Sequence, residues 1–225
     1  MRDVAVVIPA GGVGVRLGLR TPKQFLSLGR ASILVTTVRH FVRRRDVAAV
    51  VVAAPASHLA HARRALARLG RRVPVTVVTG GATRQDSVDL GLQAAPAAQV
   101  IVVHDAVRPF ITDALIDRVV AAARADGAAV CALPVAETVK RVRDGLVEAT
   151  VDRAGLWSVQ TPQALRAGLL REAHDKARRD GVVGTDDAML VERLGAPVRV
   201  VEGLAANVKI TTRADLARAR GRLRS

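Results

Sequence analysis

The chain has 225 residues, half of them apolar and 24% charged, with a formal net charge of +15. Length and apolar content suit a single domain able to bury a core and exclude wholesale disorder. The sequence offers no run of about 18 uncharged apolar residues to cross a membrane, and its start, MRDVAVVIPAGG, lacks the layout of a secretory leader, so a cytoplasmic protein without a membrane partner is expected. Only four of the 35 basic residues are lysine, and the arginines are spread over every predicted helix. Aromatic residues make up 2% of the chain, with no tyrosine, which removes the stacking platforms that single-stranded nucleic acid uses. The charge therefore reads as an arginine bias whose field helps draw in a polyanionic small substrate, and no nucleic-acid partner is expected. Cys131 is the lone cysteine, sits in an apolar run and is expected to be buried and inert.

In chain order, runs rich in Val, Ile and Ala predict strands at 4–8, 47–53, 75–79, 100–104 and 128–134. Between them, amphipathic segments at 32–44, 57–69, 83–95 and 112–125 each open on a Ser or Thr suited to cap a helix. This alternation predicts an α/β fold with a mostly parallel sheet covered by helices on both faces. Ligands of such sheets bind beyond the carboxyl ends of the strands, which directs attention to the segment after each strand.

After the first strand, PAGGVGVRLGLRTPK abandons hydrophobic periodicity for glycines and cations. Gly11, Gly12, Gly14 and Gly18 let backbone N–H groups converge on an anion, and Arg16 and Lys23 add full charges; the plainer reading is a glycine-rich turn with two solvated cations. The spacing GVGVRLG and the second strand's end at Ala53-Ala54-Pro55 do not match a dinucleotide fingerprint, and no G-K-[ST] of a P-loop is present. After the third strand comes GGATRQDSV, in which Gly80 and Gly81 permit close backbone approach and Ser87 offers a hydroxyl to a base or ribose edge; Arg84 and Asp86 read as solvated beside a Thr83 cap. After the fourth comes HDAVRP, where Asp105 stands at a strand terminus suited to Mg²⁺ and Arg108 offers a fork of donors to phosphate. His104 reads as a packed strand-end residue, and His58 with His61 as surface.

From Glu137 the rhythm breaks. Residues 137–156 alternate apolar and charged around Asp144-Gly145, a hairpin with a type I′ turn. Such an arm has little core of its own and is expected to pack on a partner subunit; Thr138, Lys140 and Arg153 lie near its ends, Lys140 and Arg141 by default on a solvated face. Beyond it, Thr161 and Pro162 are expected to open a helix over 161–179, and Thr185 to cap a short helix whose Asp186 and Asp187 suit the positive end of the helix dipole. Strands are expected at 198–201 and 208–210, and an exposed Arg-rich helix at 212–223. Lysine is seldom buried without a partner, so Lys209, alone in an apolar run, is a candidate to face a phosphate.

Five segments in order, PAGGVGVRLGLRTPKQFLSLG, GGATRQDSV, VHDAVRPF, TVDRAGLWSVQTPQ, and TDDAMLVE followed by VEGLAANVKIT, resemble the 2-C-methyl-D-erythritol 4-phosphate cytidylyltransferases of non-mevalonate isoprenoid biosynthesis over nearly the whole chain. The resemblance implies one Rossmann-like nucleotidyltransferase domain over 1–225, with 137–156 an arm for homodimerisation. It implies CTP and methylerythritol phosphate as substrates, a cytidine diphosphate alcohol and pyrophosphate as products, and Mg²⁺ as the metal. By position, Arg16 and Lys23 match the pair that grips the triphosphate and stabilises the transition state. Ala10, Gly11, Gly12 and Gly14 match the loop around the nucleotide, joined by Ala106, and Gly81, Ala82 and Ser87 match the segment that reads cytosine. Asp105, Arg108, Thr138, Arg153, Thr161, Thr185 and Lys209 match positions handling the acceptor phosphate or the metal, with Asp105 the metal candidate and Arg153 and Lys209 also in the catalytic set; some are implied to come from the partner's arm. Two departures stand out: PAGG where PAAG is usual, and GGAT in place of a commoner acidic pair after the glycines, which confines Ala82 to backbone contacts. The nearest alternative is a ribitol 5-phosphate cytidylyltransferase; one of another class is a non-catalytic basic protein that binds nucleic acid.

Overall fold

The computed structural model describes residues 2–12 and 21–223. Strands β1 (Val4–Pro9), β4 (Val47–Ala54), β5 (Val75–Thr79), β6 (Val100–Val103), β7 (Ala128–Pro134), β10 (Trp157–Arg166) and β11 (Arg199–Glu202) form one sheet in the order β11-β7-β10-β6-β1-β4-β5. Every neighbouring pair runs parallel except those made by β10, which is antiparallel to both β6 and β7. Two short strands, β2 (Ser27–Leu28) and β3 (Ala31–Ser32), pair separately. The period-2 alternation of the central strands divides the core in two. Val4, Val6, Ile8, Val100 and Val102 face one way, with Leu34, Val38 and Phe41 of α1 (Ile33–Val42), Leu66 of α2 (Leu59–Leu66) and Leu115 and Val119 of α4 (Asp113–Asp126). Ala5, Val7, Ile101 and Val103 face the other, with Val88 and Leu92 of α3 (Arg84–Ala94), Leu170 and Ala173 of α5 (Ala167–Arg179) and Leu190 and Val191 of α6 (Asp187–Glu192). The helix α3 lies close on β1 because Gly91 leaves room there; a Cβ at that position would meet Val7 Cγ1 at 2.4 Å. Three of the four expected caps are made, with Ser32, Thr83 and Thr112 each accepting a first-turn backbone N–H; Ser57 instead lies inside a 3₁₀ turn at Ala56–His58, and α2 begins after His58 with no side-chain cap.

Three expectations for the tail are corrected. Thr161 and Pro162 do not open a helix. They lie inside β10, whose residues 160–165 are buried between β6 and β7, and α5 starts only at Ala167. Proline is tolerated in this interior strand because the ladder to β7 shifts register between Val159 and Gln163 and the ladder to β6 begins at Gln163, so no bond needs its missing N–H. The cap of α6 is Asp186, which accepts from Met189 N, not Thr185. Residues 208–210 are irregular, tied down by Ile210 N donating to Val107 O at 3.0 Å. The last helix, α7 (Arg213–Gly221), packs Leu216 and Ala219 against Leu28, Ile33 and Val107.

The arm is as expected in shape: β8 (Val139–Arg143) and β9 (Leu146–Val151) form their own sheet, joined by Asp144 and Gly145 with φ of 52° and 80°. Three of its apolar side chains are bare: Val142, Leu146 and Val147 are all more than half exposed.

Candidate active site

At the carboxyl ends of β1, β4, β5 and β6 lies a cavity of about 540 Å³, within the range of small-molecule sites. Its walls are residues 9–12, Lys23, Gln24, Pro55, Ala56, residues 80–84, Ser87, residues 105–107 and Lys209. The structure thus brings Ala10, Gly11, Gly12, Lys23, Gly81, Ala82, Ser87, Asp105, Ala106 and Lys209 together from five parts of the chain. Gly14 and Arg16 lie outside the described residues.

The glycine loop is held by a residue to which the sequence assigned no role. Gln24 is buried and its Nε2 donates to Ala10 O at 2.5 Å and Gly12 O at 3.1 Å. This latches the single turn of 3₁₀ helix at Lys23–Phe25 to the loop and so sets where Lys23 starts. Phe25 is gripped between His58, stacked at 5.4 Å, and His61, edge-on at 4.9 Å, so these histidines brace the Lys23 turn and are more than a solvated surface.

Ser87 is buried and already committed. Its hydroxyl donates to Thr83 O and accepts from Gly81 N at 3.1 Å, so its visible role is to shape the 80–83 loop. Gly81 has no substitute there, since a Cβ would stand 2.2 Å from Asp86 Cβ.

Arg84 is not solvated. Its Nη1 meets Asp187 Oδ2 at 2.8 Å and its Nε meets Asp105 Oδ1 at 3.2 Å, with the side chain 29% exposed. Asp105 also receives Lys209 Nζ at 2.9 Å and has Arg108 Nε at 3.6 Å. Burial alone would push the Asp105 carboxyl up, but Arg84 and Lys209 outweigh it and hold the group well below the usual carboxylate range. Arg108 does not line the cavity. It turns inward, donating from Nη1 to Asn207 O at 2.7 Å, and so forms a tie between Asp105 and the segment carrying Lys209. Asn207 Nδ2 in turn donates to Thr161 O at 2.7 Å.

Thr161 also sits behind the cavity wall. Its Oγ1 accepts from Asp105 N at 3.0 Å and lies 3.1 Å from His104 Nδ1. His104 Nε2 faces the carbonyl of Arg108 at 3.0 Å; a carbonyl only accepts, so Nε2 carries the proton and Nδ1 accepts from Thr161. His104 and Thr161 therefore fix the 104–108 turn, and Asp105 with it. Burial pushes the His104 imidazole down from 6.5 to about 4. Between those values the unfolded chain binds a proton that the folded one does not, so this contribution to stability is whole above pH 6.5 and lessens as pH falls toward 4. The change amounts to about 3 kcal/mol. A His104→Gln variant is expected to lose that slope in denaturant melts taken from pH 7 to pH 4; an unchanged slope would contradict the assignment.

The remaining acceptor-side candidates are elsewhere. Thr185 is exposed before α6, with its N–H and hydroxyl on Met189 Sδ, and Thr138 and Arg153 are exposed on the arm; none of the three lines the cavity.

The family model for 2-C-methyl-D-erythritol 4-phosphate cytidylyltransferase matches residues 4–225. The chain belongs to that family. Among curated relatives, the cytidylyltransferase of this name from Geobacter metallireducens is 45% identical over 95% of this chain and 94% of its own, and that from Syntrophotalea carbinolica is 44% identical over 95% and 93%. Of solved structures, the 2-C-methyl-D-erythritol 4-phosphate cytidylyltransferase of Thermus thermophilus is similar at a TM-score of 0.82 and 39% identity, covering 99% of this chain and 100% of its own. The 4-diphosphocytidyl-2C-methyl-D-erythritol synthase of Anaerococcus prevotii is similar at 0.86 and 27%, covering 100% and 99%. This cytidylyltransferase-family chain has the α/β nucleotidyltransferase fold of those structures with a mostly parallel sheet, and among its described residues no helix is long and apolar enough to cross a membrane.

Proposed function

We propose that the cavity transfers CMP from CTP to 2-C-methyl-D-erythritol 4-phosphate. The observation that carries this reading is that Lys23, Arg84 and Lys209 converge on one cavity that the glycine loop also lines. An oxygen of the acceptor's phosphate attacks the α-phosphorus in line, the bond from that phosphorus to the bridging oxygen breaks, and pyrophosphate departs with the electron pair. A phosphate monoester is largely ionised near neutral pH, so no strong general base is needed. What the protein supplies is charge: Lys23 and Arg16 toward the triphosphate, Lys209 toward the acceptor phosphate, each offsetting repulsion between two anions and stabilising the charge on the equatorial oxygens. Gly81, Ala82 and the loop of Ala10 to Gly12 offer backbone groups to the nucleotide. The same experiment tests donor and acceptor: phosphorus NMR of the protein with CTP, Mg²⁺ and methylerythritol phosphate should show the monoester signal replaced by a diphosphate pair and free pyrophosphate, and persistence of the monoester would refute the reading.

Among the described residues no group of three or more His, Cys, Asp and Glu side chains stands ready for a metal ion. Asp105, the carboxylate lining the cavity, is a hard oxygen donor that stays ionised, yet Arg84, Arg108 and Lys209 surround it. This donor set suits Mg²⁺ that arrives with a triphosphate and disfavours a free ion. Asp105 would hold the ion, which supplies neutralisation of phosphate charge. Mn²⁺ as a paramagnetic probe is accordingly expected to bind weakly to the protein alone and to become immobilised when CTP is added; tight binding without nucleotide would contradict this arrangement.

The bare apolar residues of the arm, together with Trp157 and Val159 at 42% exposure each on the strand that follows, support a homodimer in which a second copy covers them. In that dimer Thr138 and Arg153 serve the partner's cavity, and the acceptor phosphate is met by groups of both chains. A cytoplasmic location completes the reading.

A further inference from the structure

Outside the cavity, one set of buried charged groups is left without a task. Asp187, at the start of α6, is 1% exposed, and His174, in α5, is 2% exposed, so no substrate reaches either of them. His174 Nε2 lies 3.2 Å from Asp187 Oδ1; an ionised carboxylate only accepts, so the ring donates from Nε2. Burial would push the Asp187 carboxyl up, but His174 and Arg84 hold it below its ordinary value. Its other oxygen takes Arg84 Nη1 at 2.8 Å, and Arg84 Nε reaches Asp105 at 3.2 Å, which holds Lys209 at 2.9 Å. The backbone end of the string is also fastened, because Gln163 Oε1 on β10 accepts from Asp187 N and Ala188 N.

We propose that Asp187 and His174 are positioning residues for the transfer reaction: His174 fixes Asp187, Asp187 fixes the Arg84 guanidinium at the cavity wall, and Arg84 in turn sets Asp105 and Lys209. The inference rests on the cavity being the transfer site. A buried ion pair gains little stability over well-packed apolar residues, whereas a guanidinium held by carboxylates on two sides has its orientation defined. Arg84 joins the nucleotide side of the cavity, through the 80–87 segment, to the acceptor side at Asp105 and Lys209, so its placement bears on how the two substrates meet. Misplacement of such groups by about an ångström lowers rates on the order of 10²-fold.

The test is a double-mutant cycle of Asp187→Asn and Arg84→Gln, with kcat and KM measured below the melting point of every variant. Asp187→Asn is expected to lower kcat by about 10- to 100-fold, and to add less than about twofold in the Arg84→Gln background, within the error of independent effects. Full multiplication of the two losses would overturn the proposal, since a general weakening of the fold acts whether or not Arg84 is present. His174→Gln, which keeps a donor near the position of Nε2, is expected to retain activity while His174→Leu loses it; equal losses would count against the string. Independently of turnover, the Arg84 Nε–H resonance is expected to be protected from exchange in the parent protein and to lose that protection in Asp187→Asn. Should the parent show no transfer to methylerythritol phosphate, the functional reading fails, and unchanged protection of that resonance is the separate result that would overturn the linkage.

Discussion

Lys23→Ala is expected to lower cytidylyl transfer by about 10²- to 10³-fold while leaving the fold intact, the loss usual for one preorganised donor at a site of developing charge. Lys23 opens the 3₁₀ turn that Gln24 latches to the glycine loop, so its ammonium reaches the cavity from a fixed base. The side chain lines the cavity and is half-buried, so truncating it removes a charge at the site. Loss should appear in kcat, because the triphosphate's charge is shared among several groups in the ground state and shifts toward the leaving pyrophosphate only in the transition state. Arg16→Ala is expected to behave the same way. Near-normal kcat in both variants, measured as pyrophosphate release at saturating CTP, would remove these residues from catalysis.

The second large effect is expected at Asp105 and falls on the fold as well as the reaction. Asp105→Asn removes the negative charge among Arg84, Arg108 and Lys209. Arg84 retains Asp187, and Lys209, 41% exposed, is compensated by water. Arg108 keeps only the neutral Asn207 carbonyl among the partners described for it, with its side chain 11% exposed and its Nε buried without a hydrogen-bond partner among the described residues. Removing one partner of a buried charge cluster costs about 3–5 kcal/mol, a large fraction of the stability of a typical domain. Denaturant melts at pH 7 measure it directly. A loss under about 1 kcal/mol would mean that the cluster relaxes into solvent and that the inward Arg108 is not held by Asp105.

The elements whose periodicity is unbroken were legible in the sequence. The strands at β1, β4, β5, β6 and β7 and the caps at Ser32, Thr83 and Thr112 follow from β-branched runs and from side chains that satisfy first-turn N–H groups. The arm was legible because Asp144-Gly145 adopts the positive φ that its turn requires. Strand β10 was not. Thr161-Pro162 has the local chemistry of a helix start, and only the pairing of residues 163–166 with β6 and of 157–159 and 163–165 with β7 assigns it to the sheet, a long-range fact that no local window contains. In the site, glycines and strand-end residues announced themselves, as the Asp105 and Gly81 positions show. Arg84 did not, because beside a Thr83 cap an arginine looks solvated; its partners Asp105 and Asp187 lie 21 and 103 residues away. Gln24 was silent for the same reason, its acceptors being backbone carbonyls of a loop that composition cannot place. Thr161 and Arg108 were found in the sequence, but the hydrogen bonds that Thr161 Oγ1 and Arg108 Nη1 make are to the protein itself.

The most direct test of the central claim is a competition in which the protein, CTP and Mg²⁺ are given equal concentrations of 2-C-methyl-D-erythritol 4-phosphate and ribitol 5-phosphate and the products are separated by mass. The account predicts that pyrophosphate is released and that the cytidine diphosphate product carries methylerythritol. A product carrying ribitol instead, or no pyrophosphate release with either acceptor, would contradict it.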